Sequence, residues 1–187
     1  GDRIGFVKED GTLMSTEEFM IIIIRDIINK VQNKTFLYDV KCSKALEDEI
    51  KKLGGTPLMY RTGASYTEAK CKEDNIPFGG ELSGHLFFRD KVADIGSGIY
   101  ASLRMCEILS RTNLSVSELC QGINKYYSTP EIKFPSPDDK KFNVIENIKK
   151  YCEEQKYPIV TIDGVKTYFQ TGWILVRASN TGPNITF

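Results

Sequence analysis

Three side chains of different chemistry alternate within Gly79-Gly80-Glu81-Leu82-Ser83-Gly84-His85: a carboxylate at 81, a hydroxyl at 83 and an imidazole at 85. In extended backbone, alternate side chains share one face, so the three would converge on one spot. Such a face accepts from and donates to adjacent sugar hydroxyls, and an imidazole moves protons near neutral pH. Glycines at 79, 80 and 84 allow close approach of a ligand and backbone angles that other residues avoid. A Gly-rich turn with a satisfied surface histidine accounts for the same residues, and spacing alone favours that plainer reading.

A second group lies near the end of the chain, in Arg177-Ala178-Ser179-Asn180-Thr181-Gly182-Pro183. It offers a guanidinium fork, two hydroxyls, an amide and a turn whose N–H groups can point at one anion. That set suits a phosphate monoester, although taken alone the segment is better explained as an ordinary polar turn closing a strand. Lys41, in Asp39-Val40-Lys41-Cys42-Ser43, falls at a strand end just before a helix N-terminus, where ligands of open α/β sheets collect. A solvated surface lysine is the alternative. Gly1-Asp2-Arg3 carries no signal by spacing, since one carboxylate holds a magnesium ion poorly.

The elements that must position these residues follow from pattern. Residues 4–7 read as a short strand, and Ser15 with Glu18 forms a capping box opening a helix to about Val31. The nearly continuous apolar run from Met20 to Ile24 predicts burial on more than one side. A strand over 35–40, a helix capped by Ser43 and ended at Gly54-Gly55, and a strand over 57–61 follow. Ser65 with Glu68 suggests a further capping box for a helix to about Asp74; residues 85–88 read as strand and 97–110 as a long amphipathic helix. This alternation predicts an α/β layer with right-handed crossovers. Ser115 with Glu118 suggests a helix to about Tyr127. The pattern then changes: extended chain over 131–134, a charged helix over 138–155, a hairpin over 159–169 turning at Asp163-Gly164, and a strand over 173–176. Helix plus meander is an α+β signature, so a boundary is expected near Asn124. A hinge near Ser128-Thr129-Pro130 is expected from local composition.

Composition narrows the function classes. Lys+Arg and Asp+Glu balance at 25 each, which gives no bulk charge for nucleic acid or an anionic membrane; any anion site must be local. The five cysteines never form a C-x-x-C pair, which fits a reducing cytoplasm better than a disulfide framework or a zinc site. The apolar run ending at Ile24 is too short to span a bilayer.

Taken together and in order, these segments resemble the α-D-phosphohexomutase family along essentially the whole chain, and most closely its phosphomannomutase/phosphoglucomutase members. Gly1-Asp2-Arg3 resembles the end of the family's D-G-D-G-D-R metal loop, Asp39 to Ser43 the segment carrying its active-site lysine, Gly80 to His85 its G-E-M-S-G-H sugar loop, and Arg177 to Pro183 its R-A-S-N-T-E-P phosphate clamp. The resemblance implies an α/β domain, a phosphoglucomutase-like mixed sheet with helices on both faces, over 13–124. A C-terminally truncated, TATA-box-binding-protein-like α+β domain is implied over 125–187, with 1–12 the tail of a preceding metal-loop domain. It further implies a mutase that interconverts hexose 1-phosphate and hexose 6-phosphate through a phosphoserine and a hexose 1,6-bisphosphate, with Mg2+ as cofactor and a cytoplasmic location. On that resemblance Asp2 would ligate magnesium and Arg3 would position the phosphoryl group. Lys41 would supply charge or a proton, Glu81 and Ser83 would hold sugar hydroxyls, and His85 would sit nearby as a proton carrier. Arg177, Ser179, Asn180 and Thr181 would clamp the non-reacting phosphate.

Leu82 resembles the mannose/glucose enzymes, whereas phosphoglucosamine mutases have glutamine at that place in the loop. Ala64 stands where a histidine is usual, Glu68 where a lysine is common, and Gly182 where the clamp has glutamate; Asp94-Ile95-Gly96-Ser97-Gly98 lacks the family's paired aspartates. The first aspartates of the metal loop and the phosphoserine domain precede residue 1 in the family plan, so the 187-residue chain alone is expected to bind sugar phosphate without turning it over. A non-catalytic sugar-phosphate-binding module, or a phosphoglucosamine mutase, are the competing readings.

Overall fold

The computed structural model describes residues 1–91, 94–179 and 182–187, which form two compact units, Gly1–Tyr126 and Tyr127–Phe187. In the first, β1 (Phe6–Val7) and β2 (Leu13–Met14) pair as a small antiparallel ribbon ahead of α1 (Thr16–Ile27). Ser15 caps α1 with the full capping box, its side chain accepting from the Glu18 N–H while Glu18 accepts from the Ser15 N–H. Phe19 to Ile24 are all buried, which is why this helix reads as apolar all round. It ends at Ile27, a turn earlier than the apolar pattern suggests.

The main sheet has five strands: β3 (Thr35–Asp39), β4 (Thr56–Tyr60), β5 (Phe78–Gly80), β6 (Leu86–Phe88) and β7 (Ile95–Gly96), in the order β4-β3-β5-β6-β7. β3 runs parallel to β4 and β5, whereas β6 is antiparallel to its neighbours β5 and β7, so the sheet is mixed. Alternation along β3 decides which helix covers which face. Phe36 and Tyr38 belong to the large core formed with α1, α2 (Lys44–Lys52) and α4 (Gly98–Leu109); Leu37 points the other way, to Cys71 and Ile76 around α3 (Ala64–Glu73). Helices therefore lie on both faces.

Two helix expectations need correction. Helix α3 does not start from a Ser65–Glu68 box: Gly63 occupies its N-cap at φ +139°, with no side-chain cap of its own. The Gly63 N–H is instead met by the Glu81 carboxylate, 2.5 Å away, a long-range contact that outcompetes the local one. Helix α5 does have its Ser115–Glu118 box but spans only Val116–Leu119, and the chain turns at Gly122, φ +75°.

The second unit is a five-stranded antiparallel sheet with one helix, α6 (Asp138–Glu154). Its strands β8 (Lys133–Pro135), β9 (Ile159–Val160), β10 (Val165–Phe169), β11 (Gly172–Ala178) and β12 (Asn184–Thr186) take the order β8-β12-β11-β10-β9. The hairpin at Asp163-Gly164 is present, but pairing of Lys166 with Val160 makes its connection longer than two residues. β12 and the extension of β11 to Ala178 had no sequence signal of their own; they pair with each other, and β12 pairs with β8 on its other side. Cys152 on α6 and Val165 on β10 are buried between helix and sheet.

Within the first unit Arg104 on α4 is buried and pairs with the equally buried Asp90 after β6, Nη1 to Oδ1 2.6 Å. Glu107 Oε2 lies 3.3 Å from Arg104 Nε and Asp26 Oδ2 3.9 Å from Nη2, so Asp90→Ala leaves the charge partly compensated and is expected to destabilise this unit by roughly 1–3 kcal/mol, read from the denaturant midpoint. All five cysteines are free thiols. Burial pushes the Cys71 thiol up to about 12, so at pH 8 iodoacetamide should label exposed Cys106 and leave Cys71 untouched until the chain unfolds.

Candidate functional site

Residues 81–85 join β5 to β6 as a tight turn, which corrects the expectation of extended chain. The Glu81 N–H donates to the His85 carbonyl at 2.9 Å and the Gly84 N–H to the Glu81 carbonyl at 3.0 Å. Gly84 takes φ +90°, the left-handed residue that lets a three-residue hairpin loop close. A Cβ there would lie 2.8 Å from the Ile4 carbonyl oxygen, so glycine also admits the N-terminal segment alongside. The three side chains do meet, but through the curl of the turn: His85 Nδ1 lies 2.9 Å from Glu81 Oε2 and 3.1 Å from Ser83 Oγ, and Ser83 Oγ is 3.3 Å from Glu81 Oε2.

Glu81 is 1% exposed and both of its oxygens are engaged. Oε1 accepts from the Gly63 N–H at the start of α3 and from Thr67 Oγ1, placing the carboxylate at a helix N-terminus, where the partial positive charge favours it. Oε2 faces the His85 ring. Ser83 and Leu82, by contrast, are exposed.

His85 forms an antiparallel bridge with Arg3, and its Nε2 has two neighbours of opposite character. Arg3 Nε donates to it at 3.0 Å, and Asp2 Oδ2 lies 3.1 Å away. With Nδ1–H assigned toward Glu81, the neutral ring accepts from Arg3 at Nε2; the protonated ring donates to Asp2. Each protonation state thus has its own partner. A backbone hydrogen bond and, next, the contact with His85 hold the Asp2 carboxyl below its usual range.

Lys41 sits in the turn between β3 and α2, largely covered, with Nζ 3.5 Å from Asp39 Oδ2. In front of His85 lies a cavity of about 280 Å³ lined by Asp2, Ala64, Glu68, Phe87, Asp94 and Gly96. Among the described residues its walls carry three carboxylates and no lysine or arginine, in line with the loss of positive character at 64 and 68. A larger hollow of about 370 Å³ lies between α1, α4 and α5 and contains none of these residues.

In the second unit Arg177, on β11, is buried with Nη2 2.9 Å from Asp163 Oδ2. Its Nε and Nη2 are buried and make no hydrogen bond of acceptable geometry among the described residues, so Asp163 holds the guanidinium as an ion pair. Gly164 is what lets Asp163 reach this arginine: at φ +83°, a Cβ there would lie 2.3 Å from the Val176 carbonyl and 2.7 Å from Arg177 Cβ. Ser179 follows β11, its N–H donating to the Asn184 carbonyl at 2.9 Å. Asn180 and Thr181, the remaining clamp candidates, lie outside the described residues. Sequence reasoning missed Lys141. This buried lysine of α6 donates to the carbonyls of Ser179 (2.7 Å) and Gly182 (3.2 Å), holding both ends of that loop. Nothing in the local pattern of α6 distinguishes it from its charged neighbours.

Magnesium does not fit the residues present. Among the described residues no group of three or more His, Cys, Asp or Glu could hold a metal ion, and Asp2 alone gives one hard oxygen side chain where several ligands are required.

Both units match known protein families. Residues 15–126 match the family model of the phosphoglucomutase/phosphomannomutase alpha/beta/alpha domain III, and residues 131–186 match that of the phosphoglucomutase/phosphomannomutase C-terminal domain. The chain belongs to the phosphoglucomutase/phosphomannomutase family. It is 35% identical over 183 residues to a phosphomannomutase/phosphoglucomutase of Pseudomonas aeruginosa, covering 98% of this chain and 40% of that protein. It is 31% identical to a phosphomannomutase of Methanocaldococcus jannaschii, again over 98% of the chain and 40% of the relative. A family protein from Burkholderia thailandensis superposes with TM-score 0.89 and 32% identity, over 100% of this chain and 39% of that one. The chain thus spans about 40% of the length of the curated relatives it matches, corresponding to their C-terminal part. The mixed sheet with helices on both faces is that of domain III of phosphoglucomutases, and the second unit is their C-terminal domain.

Because position 164 combines a left-handed backbone with a carbonyl and Arg177 in the way, Gly164→Ala should destabilise the second unit by more than about 1 kcal/mol. Thermal unfolding of this variant checks it; an unchanged midpoint would show that the Asp163 turn tolerates a side chain after all.

Proposed function

We propose that this chain supplies the sugar-recognition and phosphate-clamp parts of a mutase interconverting hexose 1-phosphate and hexose 6-phosphate, for mannose and glucose, through a hexose 1,6-bisphosphate. The observation that carries the reading is the Glu81–Ser83–His85 turn, in which a buried carboxylate fixes an imidazole whose other nitrogen has a separate partner for each protonation state. Oriented this way, His85 takes up a proton from a sugar hydroxyl or returns one, as a general acid–base must. Glu81 fixes the ring and Ser83 offers an exposed hydroxyl to the sugar. Lys41 brings positive charge beside the transferred phosphoryl group, with Arg3 at the same histidine. Arg177 and Ser179, joined by Asn180 and Thr181, hold the phosphate that does not react.

Phosphoryl transfer depends on positioning and charge neutralisation more than on covalent chemistry by the protein, which suits a site of pre-fixed side chains. Toward magnesium this chain offers the single carboxylate of Asp2, short of a complete site. Five free thiols fit a reducing, cytoplasmic setting, and no helix among the described residues is long and apolar enough to cross a membrane.

The second reading, a sugar-phosphate-binding module without catalysis, is favoured by the carboxylate-lined cavity at Ala64 and Glu68. Joining this chain to the N-terminal part of the Pseudomonas aeruginosa relative separates the two. The mutase reading expects the fusion to convert mannose 1-phosphate in a coupled assay, and expects His85→Ala to lower turnover by about 10²- to 10⁴-fold. A folded fusion that binds mannose 1-phosphate without turnover supports the module instead. The 187-residue chain alone should show no conversion of mannose 1-phosphate and only weak binding of glucose 1-phosphate. Turnover by the isolated chain would contradict the division of labour proposed here.

A further inference from the structure

At the end of β3 stands a buried acid to which the proposed chemistry gives no task. Asp39 is fully buried. Its Oδ1 accepts from the Leu82 backbone N–H at 3.2 Å and from the Cys42 thiol at 3.1 Å. Its Oδ2 accepts from Thr62 Oγ1 at 3.2 Å and faces Lys41 Nζ at 3.5 Å. These partners belong to three separate loops: the turn after β3, the connection between β4 and α3, and the turn between β5 and β6.

We propose that Asp39 is a positioning residue that holds the Lys41 ammonium in register with the Glu81–His85 turn. The proposal rests on the reading of those two elements as parts of one site. A buried ionised carboxylate is costly unless its acceptor positions are filled, about four in all. Here the four are filled by Lys41, Cys42, Thr62 and the Leu82 backbone, so satisfying one charge fixes three loops relative to one another. The ion pair to Lys41 is its most exchangeable member, because Lys41 is the long, flexible partner. When a phosphoryl group draws Lys41 away, the three neutral donors still satisfy Asp39, and the ammonium has a defined place to return to.

Asparagine separates the two ends of this clasp. It keeps a carbonyl oxygen for the Leu82 N–H but puts an NH2 where Lys41 needs an acceptor; alanine removes both ends. The test uses the 187-residue chain and three readouts. Amide hydrogen exchange reports on Leu82, acetylation by an amine-selective ester followed by mass spectrometry reports on Lys41, and titration with glucose 1-phosphate reports on binding. In Asp39→Asn, Leu82 exchange should stay within about three-fold of the parent chain while Lys41 acetylation rises at least about five-fold. In Asp39→Ala, Leu82 exchange should rise at least about ten-fold as well. For glucose 1-phosphate, Asp39→Asn should weaken binding by a factor close to that of Lys41→Met, and the double variant should be no weaker than Lys41→Met alone.

Unchanged Lys41 acetylation in Asp39→Asn, or additive losses in the double variant, would overturn the proposal. If Asp39→Ala does not fold, Asp39→Asn decides by the same readouts. Failure of both to fold would assign Asp39 to the fold and not to the site, and would equally overturn it. Absence of glucose 1-phosphate binding by the parent chain counts against the proposed function; the exchange and acetylation results, which involve no ligand, still decide the role of Asp39.

Discussion

The carboxylate of Glu81 is the constraint around which the first unit's site is organised. A charge 1% exposed must be met by donors, and the donors available come from places far apart in sequence: the Gly63 N–H, Thr67, Ser83 and the His85 ring. Meeting Gly63 fixes where α3 begins. Meeting His85 fixes the imidazole plane and its Nδ1 proton. The remaining nitrogen then points at the segment carrying Asp2 and Arg3. Start of helix, turn and histidine orientation are thus three consequences of one buried charge.

This explains which parts of the molecule were legible in the sequence. Local signals held wherever the competition was local. The Ser15–Glu18 box and the Ser43 cap both act within a few residues, and each sits as the pattern implies. The Ser65–Glu68 box failed because a carboxylate eighteen residues away took the helix start. The side chains of 81, 83 and 85 do meet, but for a different reason: a two-residue period was assigned to what is a turn closed by Gly84. Lys141 and the clasp at Asp39 were invisible because their value lies in which carbonyls and amides surround them, and that is settled only by tertiary structure. β12 was missed because three residues after a Gly-Pro turn carry too little pattern, although pairing with β8 and β11 secures them.

Balanced charge, which confines any anion site to a local cluster, takes on a fuller meaning once the cations are located. Lys41 faces Asp39 at 3.5 Å and Arg177 faces Asp163 at 2.9 Å, while Arg3 donates to a histidine that also faces Asp2. Each cation suited to a phosphate is held by a group that can accept from it. Such pairing costs some of the attraction an unpartnered cation would exert, but it fixes the direction of long side chains before any ligand arrives and lowers the entropy lost on binding. Two of these pairs lie in one unit and one in the other, each complete within its own unit, so the aim of each cation is set by its own scaffold. In the proposed function each of these pre-aimed cations, within its own unit, recognises an anion by geometry and not by surface potential. That is why a chain of zero net charge carries so specific a set of guanidinium and ammonium groups.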